Sequence, residues 1–232
     1  MIKFNDLFNI AKKDIMVCIY NLNISPVRDL FHKKIIEKYH KSIIYDKQKW
    51  FIFTAGCFGS GKSHVMQYLH NMKKIDLNNY VFVDPDELRY EIPEIKDYIK
   101  ENPYTVGEKT HDEACYLADL LIASSLYENN NIISDGSMQN YFWYQHSFIP
   151  YLRKNYPAYK IAIIYVKADL DIVLERCKKR GEKTGRMIKE DIIKLTYDKV
   201  KISYDKLSPL VDFSCIIDNN LEPQIDKIEF PF

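Results

Sequence analysis

The octapeptide GCFGSGKS, residues 56–63, has the residue types and the spacing of a phosphate-binding loop, GxxxxGK[ST]. It follows the apolar run WFIFTA, which is typical of a buried strand, and it precedes a helical pattern. The chain has only seven glycines, and three of them, Gly56, Gly59 and Gly61, lie in this octapeptide. Glycine permits positive φ and a close approach of the backbone to a ligand. We therefore predict that residues 56–63, hereafter the P-loop, bind phosphate.

The chemistry of the P-loop follows from its residue types. We expect the β-phosphate of a nucleotide to be surrounded by the backbone N–H groups of Gly59, Ser60, Gly61 and Lys62. The ammonium group of Lys62 would bridge the β- and γ-phosphates, and the Ser63 hydroxyl would bind Mg²⁺. The sequence thus predicts ATP and Mg²⁺ as the cofactors.

Two acidic residues follow the second predicted strand, in the segment FVDPDELR. We expect this strand to lie beside the P-loop strand, so that its carboxyl end faces the γ-phosphate. One carboxylate, that of Asp84 or Asp86, would then accept the proton of an acceptor hydroxyl. The alternative is that one of these residues caps the following helix, since aspartate is favoured at helix N-termini.

A dense group of cations lies in the segment ERCKKRGEKTGR, residues 175–186, hereafter the lid segment. Its two glycines predict flexible backbone, and we expect the segment to close over the phosphates and stabilise charge in the transition state. The alternative is a solvated helix end whose cations complement the helix dipole. The cations are Arg176, Lys178, Lys179, Arg180, Lys183 and Arg186.

A third acidic position, Asp135 in NIISDGS, ends another predicted strand. A carboxylate there could hold a Mg²⁺-bound water or a substrate hydroxyl, or it could be a turn residue before glycine. The sequence has no NKxD-type motif, which a GTPase would use to bind its base. A carboxylate near the acceptor and a basic lid are what a small kinase requires. The sequence therefore favours a kinase over a GTPase.

The elements that must position these residues alternate between strand and helix. This alternation predicts an α/β fold, a P-loop NTPase-type three-layer sandwich with a mainly parallel five-stranded sheet. A helical extension at the N-terminus, residues 1–48, precedes the predicted kinase domain, residues 49–232. The predicted strands are residues 49–55, 79–84, 131–137, 159–168 and 213–219.

Composition limits the partners. The formal net charge is +1, so no global field favours a nucleic acid or a membrane. The five cysteines lack CxxC spacing, which is typical of reduced thiols in an intracellular protein. No uninterrupted apolar run approaches the roughly 20 residues that span a bilayer. We therefore expect a cytoplasmic protein without a membrane partner.

The ordered series of motifs resembles the zeta-toxin-like kinases from about residue 50 to residue 220. The series begins with GCFGSGKS and DPDELR, and HDEA then begins a long helix. NIISDGS and ER…RGEKTGR follow, and the series ends with IIDN at the end of a late strand. The resemblance implies that Asp86, the second acid of the D-x-D pair, is the catalytic base. It also implies that Arg176 and Arg186 contact the ATP phosphates and join Lys62 in catalysis.

The same resemblance implies that Asp119, in LADLL, and Asp135 with Ser137 bind the acceptor. Founding members of this family phosphorylate the 3′-hydroxyl of a UDP-N-acetyl amino sugar, so a small UDP-sugar is the implied acceptor. A polynucleotide or other small-metabolite kinase is a less favoured alternative, in which the aromatic residues 141–144 and the basic helix within residues 28–41 bind nucleic acid. A non-catalytic ATP-binding module is another alternative. The sequence identifies no protein partner.

Overall fold

The computed structural model describes residues 4–14, 20, 22–41, 43 and 48–232. In this part of the chain, five parallel strands form one sheet in the order β2-β3-β1-β4-β5. The predicted α/β sandwich around a five-stranded sheet is confirmed, and the sheet is parallel throughout. The strands are β1 (Lys49–Ala55), β2 (Tyr80–Val83), β3 (Asn131–Ser134), β4 (Tyr159–Lys167) and β5 (Phe213–Asp218).

The sheet order corrects one prediction. We expected β2, which precedes the D-x-D pair, to lie beside the P-loop strand β1, but β3 lies between them. Ile132 of β3 is the register partner of Phe51 in β1 and of Val81 in β2. The neighbour of a parallel strand is set by the path of the crossover helix, which hydrophobic periodicity does not report. As a result, the end of β3 is adjacent to the P-loop strand, and the end of β2 is one strand further away.

Helices cover the sheet. A π-helical turn, Tyr144–Phe148, joins α8 to α9, and Pro150 lies in the first turn of α9. The described helices are α1 (Phe4–Asp14), α2 (Pro26–Tyr39), α3 (Lys62–Asn71), α4 (Pro85–Leu88), α5 (Ile95–Glu101), α6 (Val106–Lys109), α7 (His111–Tyr127), α8 (Tyr141–Trp143), α9 (Ile149–Asn155), α10 (Leu170–Thr184) and α11 (Glu190–Leu207). None of these helices is long and apolar enough to cross a membrane.

The core has two layers because side chains along a strand point to opposite faces of the sheet. Phe51 and Phe53 of β1 lie in one buried cluster with Leu117 of α7. Ile52, between them in sequence, lies in the other cluster with Leu69 of α3. Both faces of β1 are therefore buried, and the P-loop begins at the end of the most protected part of the sheet.

The N-terminal helices pack on the face of the sheet that α7 covers. Phe8 of α1 and Ile36 of α2 are buried in the same cluster as Phe51. Arg28 of α2 forms ion pairs with Glu94 and Glu113, which precede or belong to helices of the predicted kinase domain. The predicted continuation of the first helix beyond Asp14, which includes Cys18, lies outside the described residues.

Candidate functional site

The P-loop connects β1 to α3, and its backbone conformation requires glycine. Gly61 has φ 91° and immediately precedes α3. A Cβ on Gly61 would collide with the side-chain amide of Asn219, and one on Gly59 would lie 2.7 Å from the carbonyl oxygen of Val173. The first N–H groups of α3 have no partner within the helix. The loop therefore ends in a close-packed turn with free donors at a helix N-terminus, which suits an anion.

The side chain of Asn219, directly after β5, and that of Arg176 in α10 both contact the P-loop. The carbonyl oxygen of Ser60 accepts hydrogen bonds from Asn219 Nδ2 (2.8 Å) and Arg176 Nη1 (3.4 Å). Nη2 of Arg176 also donates to the carbonyl oxygens of Asn219 (3.0 Å) and Asn220 (3.3 Å). Arg176, which we expected on the phosphates, thus braces the loop in this structure. Sequence reasoning assigned no role to Asn219, although it ends the IIDN motif.

Two side chains of the P-loop have unused hydrogen-bonding capacity. Lys62 Nζ donates to the carbonyl oxygen of Gly56 at 3.3 Å, and its ammonium group carries two further protons. The Ser60 hydroxyl is buried and has no hydrogen-bond partner among the described residues. The side chain of Ser63, the predicted Mg²⁺ ligand, is exposed at the start of α3. The P-loop residues therefore fit a nucleotide phosphate chain.

Asp135 is fixed at the end of β3, next to the P-loop strand. The Thr54 hydroxyl donates to Asp135 Oδ1, and the Asp135 N–H donates to the carbonyl oxygen of Val83 at 2.8 Å. The carbonyl oxygen of Ser137 accepts from the Gly56 N–H at 3.3 Å, which ties this loop to the P-loop. Asp135 and Ser137 thus lie beside the P-loop, as a role near the phosphates or the acceptor requires.

Asp84 caps the helix that follows β2. Its side chain accepts a hydrogen bond of 2.7 Å from the Asp86 N–H at the start of α4. Burial, the carboxylate of Asp135 and that of Asp86 raise the pKa of Asp84 to about 6. The structure therefore shows Asp84 as the N-cap residue of α4, which is the alternative that the sequence left open.

Asp86 lies among three guanidinium groups. Its Oδ1 pairs with Arg89 Nη2 at 3.3 Å, and its Oδ2 pairs with Arg186 Nη1 at 3.1 Å and Arg180 Nη2 at 3.3 Å. Burial alone would raise the pKa of Asp86, but Arg186, Arg89 and Arg180 together hold it below its usual range. The structure thus brings the predicted base into direct contact with two arginines of the predicted lid segment, Arg180 and Arg186.

The lid segment is helical over most of its length. α10 continues to Thr184, and Gly185, with φ 74°, ends it. Gly181 is buried inside this helix, where a Cβ would collide with the sulfur of Met187. The Met187 N–H donates to the carbonyl oxygen of Pro103 at 3.0 Å. The part of the lid segment for which its glycines predict flexible backbone is thus helical up to Thr184, because Gly181 serves close packing instead of a turn.

Asp119, which the resemblance assigned to the acceptor, lies on α7 and has a partner in the N-terminal segment. The hydroxyl of Tyr20 donates to Asp119 Oδ2 at 2.6 Å. Burial raises the pKa of Asp119 to about 6, and the Tyr20 hydroxyl partly offsets this effect. The described contact of Asp119 is therefore with the N-terminal segment, whereas Asp135 and Ser137 contact β1, β2 and the P-loop.

Comparisons with known proteins bear on the family and the fold of this chain. A family model described as zeta toxin matches residues 35–222. No curated protein matches the chain. A solved structure of the PezAT chromosomal toxin–antitoxin system of Streptococcus pneumoniae is similar, with a TM-score of 0.66 and 16% identity over 85% of this chain and 80% of that chain.

Two further solved structures share the fold. A structure of AvrRxo1-ORF1:-ORF2 with ATP has a TM-score of 0.61 and 14% identity over 84% of this chain and 64% of that chain. A structure of the Pnkp1/Rnl/Hen1 RNA repair complex has a TM-score of 0.51 and 17% identity over 72% of this chain and 49% of that chain. At these identities the likenesses show the fold alone.

Proposed function

This chain belongs to the zeta toxin family, and from that premise we propose that it is a kinase that transfers the γ-phosphoryl group of ATP to a hydroxyl of a small acceptor. The observation that carries the proposal is the pairing of Asp86 with Arg186 and Arg180 of the lid segment. A carboxylate of α4, after β2, meets two cations of the lid segment at one point, and Arg176 of the same segment contacts the P-loop at the Ser60 carbonyl. Phosphoryl transfer needs this combination of an oriented acceptor and compensated charge.

The nucleotide would lie on residues 56–63. Lys62 would compensate the charge of the β- and γ-phosphates, and the unpaired Ser60 hydroxyl and the free N–H groups would donate to them. The described residues include no group of three histidine, cysteine or acidic side chains that could hold a metal. A Mg²⁺ ion would therefore take its oxygen ligands from the phosphates, water and the Ser63 hydroxyl, and it would neutralise charge on the phosphates.

The acceptor hydroxyl would bind at Oδ2 of Asp86. In this structure, Oδ2 pairs with Arg180 and Arg186. A triphosphate carries more negative charge than one carboxylate, so it competes for both guanidiniums and leaves Oδ2 free for the hydroxyl. Because the transition state is loose, the carboxylate mainly needs to stay ionised and orient the hydroxyl, and it takes the proton late. A low pKa of Asp86 is consistent with this role.

The acceptor class rests on the family. We propose a UDP-activated amino sugar, held by Asp135 and Ser137 beside the P-loop. Asp119 would join them only if Tyr20 gives up its hydrogen bond with that carboxylate. The similar PezAT and AvrRxo1 structures are of systems with two proteins, which supports a proposal that this chain also has a protein partner.

ADP release from Mg–ATP tests the proposal. The wild-type protein would be assayed with and without UDP-N-acetylglucosamine, with the product identified by its mass. We expect Asp86→Asn to bind ATP almost as well as wild type but to transfer phosphate about 10²-fold more slowly, because it loses the ionised acceptor of the proton. Lys62→Ala should lose both binding and transfer. The surface variant Lys74→Ala, on the turn after α3, is the matched control for loss of a lysine.

The outcomes separate the candidate functions. Phosphate found on the sugar establishes the kinase and its acceptor. Stimulation by an oligonucleotide instead keeps the mechanism and replaces the acceptor. Wild-type rates in Asp86→Asn would remove Asp86 from its role. A protein that binds Mg–ATP and turns over no hydroxyl acceptor would be a nucleotide-binding module and would contradict the proposed function.

A further inference from the structure

Arg89 is a buried cation to which neither the sequence motifs nor the family resemblance assigns a role. It directly follows α4, and 5% of its surface is exposed. Its Nη1 donates to the carbonyl oxygen of Gly107 at 2.7 Å and to the Thr110 hydroxyl at 2.8 Å. Its Nη2 pairs with Asp86 Oδ1 at 3.3 Å. Arg89 therefore links the candidate base to the junction of α6 and α7.

The burial of this charge requires an explanation. Burying a guanidinium costs free energy that a single ion pair does not always recover. Here burial and the nearby Arg186 both lower the pKa of Arg89, so the neutral form is favoured more than usual. Its Nε is buried without a hydrogen-bond partner among the described residues. Because replacement of a buried ion pair by apolar residues of similar volume is often neutral or stabilising, packing alone does not account for an arginine at this position.

The two oxygens of Asp86 have different kinds of partner. Oδ2 faces Arg180, which is 47% exposed in its side chain, and Arg186, which lies in the lid segment. Both arginines have a phosphate chain as an alternative partner in the proposed function. Oδ1 faces only Arg89 among the ion pairs of the described residues. Arg89 is held by hydrogen bonds to the Gly107 carbonyl and to the buried Thr110 hydroxyl, neither of which belongs to the P-loop or the lid segment.

We infer that Arg89 is a positioning residue for Asp86: it holds Oδ1 in place while Oδ2 passes from the lid arginines to the acceptor hydroxyl. The inference rests on the proposed function. With Arg89 in place, the Asp86 side chain keeps its rotamer and its charge when Arg180 and Arg186 turn to the phosphates. Without Arg89, the carboxylate would rotate or become protonated at that moment, and the acceptor hydroxyl would be misaligned.

The charged groups that face Asp86 define the pH dependence of this arrangement. They are Asp84 at the end of β2, Arg89 after α4, and Arg180 and Arg186 of the lid segment. Once the phosphates engage the lid arginines, Arg89 is the cation that still favours the ionised carboxylate, against burial and the charge of Asp84. Removal of Arg89 should therefore move the acid limb of the kcat profile to higher pH.

The test compares Arg89→Gln, Arg89→Lys and wild type in ATP affinity, kcat and the pH dependence of kcat. We expect Arg89→Gln to bind ATP within about threefold of wild type and to lose about tenfold or more in kcat, with its acid limb at higher pH. Arg89→Lys keeps a cation and should recover much of kcat and the wild-type pH profile.

Arg28→Gln is the control, since Arg28 is a partly buried guanidinium that, like the buried Arg89, forms ion pairs across elements, in its case with Glu94 and Glu113. It should lower the thermal midpoint without changing kcat or its pH profile. An Arg89→Gln protein that behaves like Arg28→Gln, less stable with unchanged kcat and pH profile, would overturn the inference.

Two further measurements keep the test decisive. If Arg89→Gln does not fold, Thr110→Val removes one anchor of Arg89 with little change in volume, and an unchanged kcat and pH profile in that variant would overturn the inference. If the wild-type protein binds Mg–ATP without turnover, the proposed function fails separately, and the inference is tested by NMR instead of by kcat. The ¹³C carboxyl signal of Asp86 is assigned by its disappearance in Asp86→Asn. Its titration in the ATP complex should move to higher pH in Thr110→Val or Arg89→Gln, and an unmoved titration overturns the inference.

Discussion

Two aspartates that are two residues apart have opposite environments. Asp84 faces other carboxylates, and its pKa is raised to about 6. Asp86 faces guanidiniums, and its pKa is lowered. Neighbouring acids whose pKa values are moved apart in this way can take different roles in one site. The geometry gives Asp84 the structural role of a helix cap and leaves Asp86 as the ionised group toward the lid segment.

The charge of Asp84 should cost stability at neutral pH. Its folded-state pKa of about 6 lies above its ordinary value near 4, so the folded protein binds more protons between these pH values. The free energy of unfolding should therefore fall as pH rises from about 4 through 6. Asp84→Asn keeps an oxygen for the cap and removes the charge, so it should stabilise the nucleotide-free protein by about 1 kcal/mol at pH 8.

Urea unfolding at pH 5 and pH 8 measures this effect. The gain from Asp84→Asn should be smaller at pH 5, where the wild-type carboxyl is already mostly protonated. Asp97→Asn, at an exposed acid on α5, is the control and should show no such difference. A loss of stability in Asp84→Asn at pH 8 would mean that the carboxylate has favourable partners that outweigh Asp135 and Asp86.

Residues of the site differ in how visible they are in the sequence. The P-loop was predictable because all its donors lie within eight consecutive residues. Asn219 was not, because its contact with Ser60 joins residues far apart in the chain. Arg89 was within reach of sequence reasoning, since it lies three residues after Asp86 and i,i+3 side chains share a helix face. Its second anchor, at Gly107 and Thr110, became visible only in the fold.

At the scale of elements, the P-loop is stable only if Gly61 can adopt positive φ. Gly61→Ala would add backbone strain at φ 91° and a collision with Asn219. We expect a loss of about 1–3 kcal/mol in the free energy of unfolding and a large loss of ATP affinity, because the donors before α3 would move.

Gly136→Ala is the matched control for Gly61→Ala. A Cβ there would lie 3.9 Å from the Tyr144 hydroxyl, which is an ordinary contact. Denaturant unfolding and ATP titration of both variants make the comparison. Similar affinities for ATP in the two variants would show that the conformation of Gly61 is not required for nucleotide binding.

The strands and the order of the sheet were not equally predictable. Each strand is an apolar run, and four of the predicted starts agree with the structure to the residue, while β2 begins one residue later, at Tyr80. Periodicity reports only which residues are buried, so it could not show that β3 separates β2 from β1. This order matters for function, because it places Asp135, and not the D-x-D pair, on the strand next to the P-loop strand.

At the scale of the whole molecule, the N-terminal helices and the sheet share one core. The division into an extension, residues 1–48, and a kinase domain, residues 49–232, stays a prediction. The family model begins at residue 35, within α2, so most of the two helices lies outside the matched region. Phe8 is nevertheless 2% exposed and lies in the same buried cluster as Phe51 and Leu117. Shared burial of this kind should make the chain unfold as one unit.

Phe8→Ala tests whether the N-terminal helices and the sheet unfold as one unit. The two tryptophans, Trp50 in β1 and Trp143 in α8, both lie in the predicted kinase domain, and Trp50 belongs to the buried cluster on the sheet face opposite Phe8. Truncation of a buried phenylalanine lowers the free energy of unfolding by about 3–5 kcal/mol. If the chain is one cooperative unit, urea unfolding followed by tryptophan fluorescence shows this whole loss, and its transition coincides with that followed by circular dichroism. Val27→Ala, at a side chain of α2 that is 77% exposed, should change stability by less than about 0.5 kcal/mol. A tryptophan transition that stays at the wild-type midpoint in Phe8→Ala, while circular dichroism shows an earlier loss of helix, would establish the extension as a separately unfolding element.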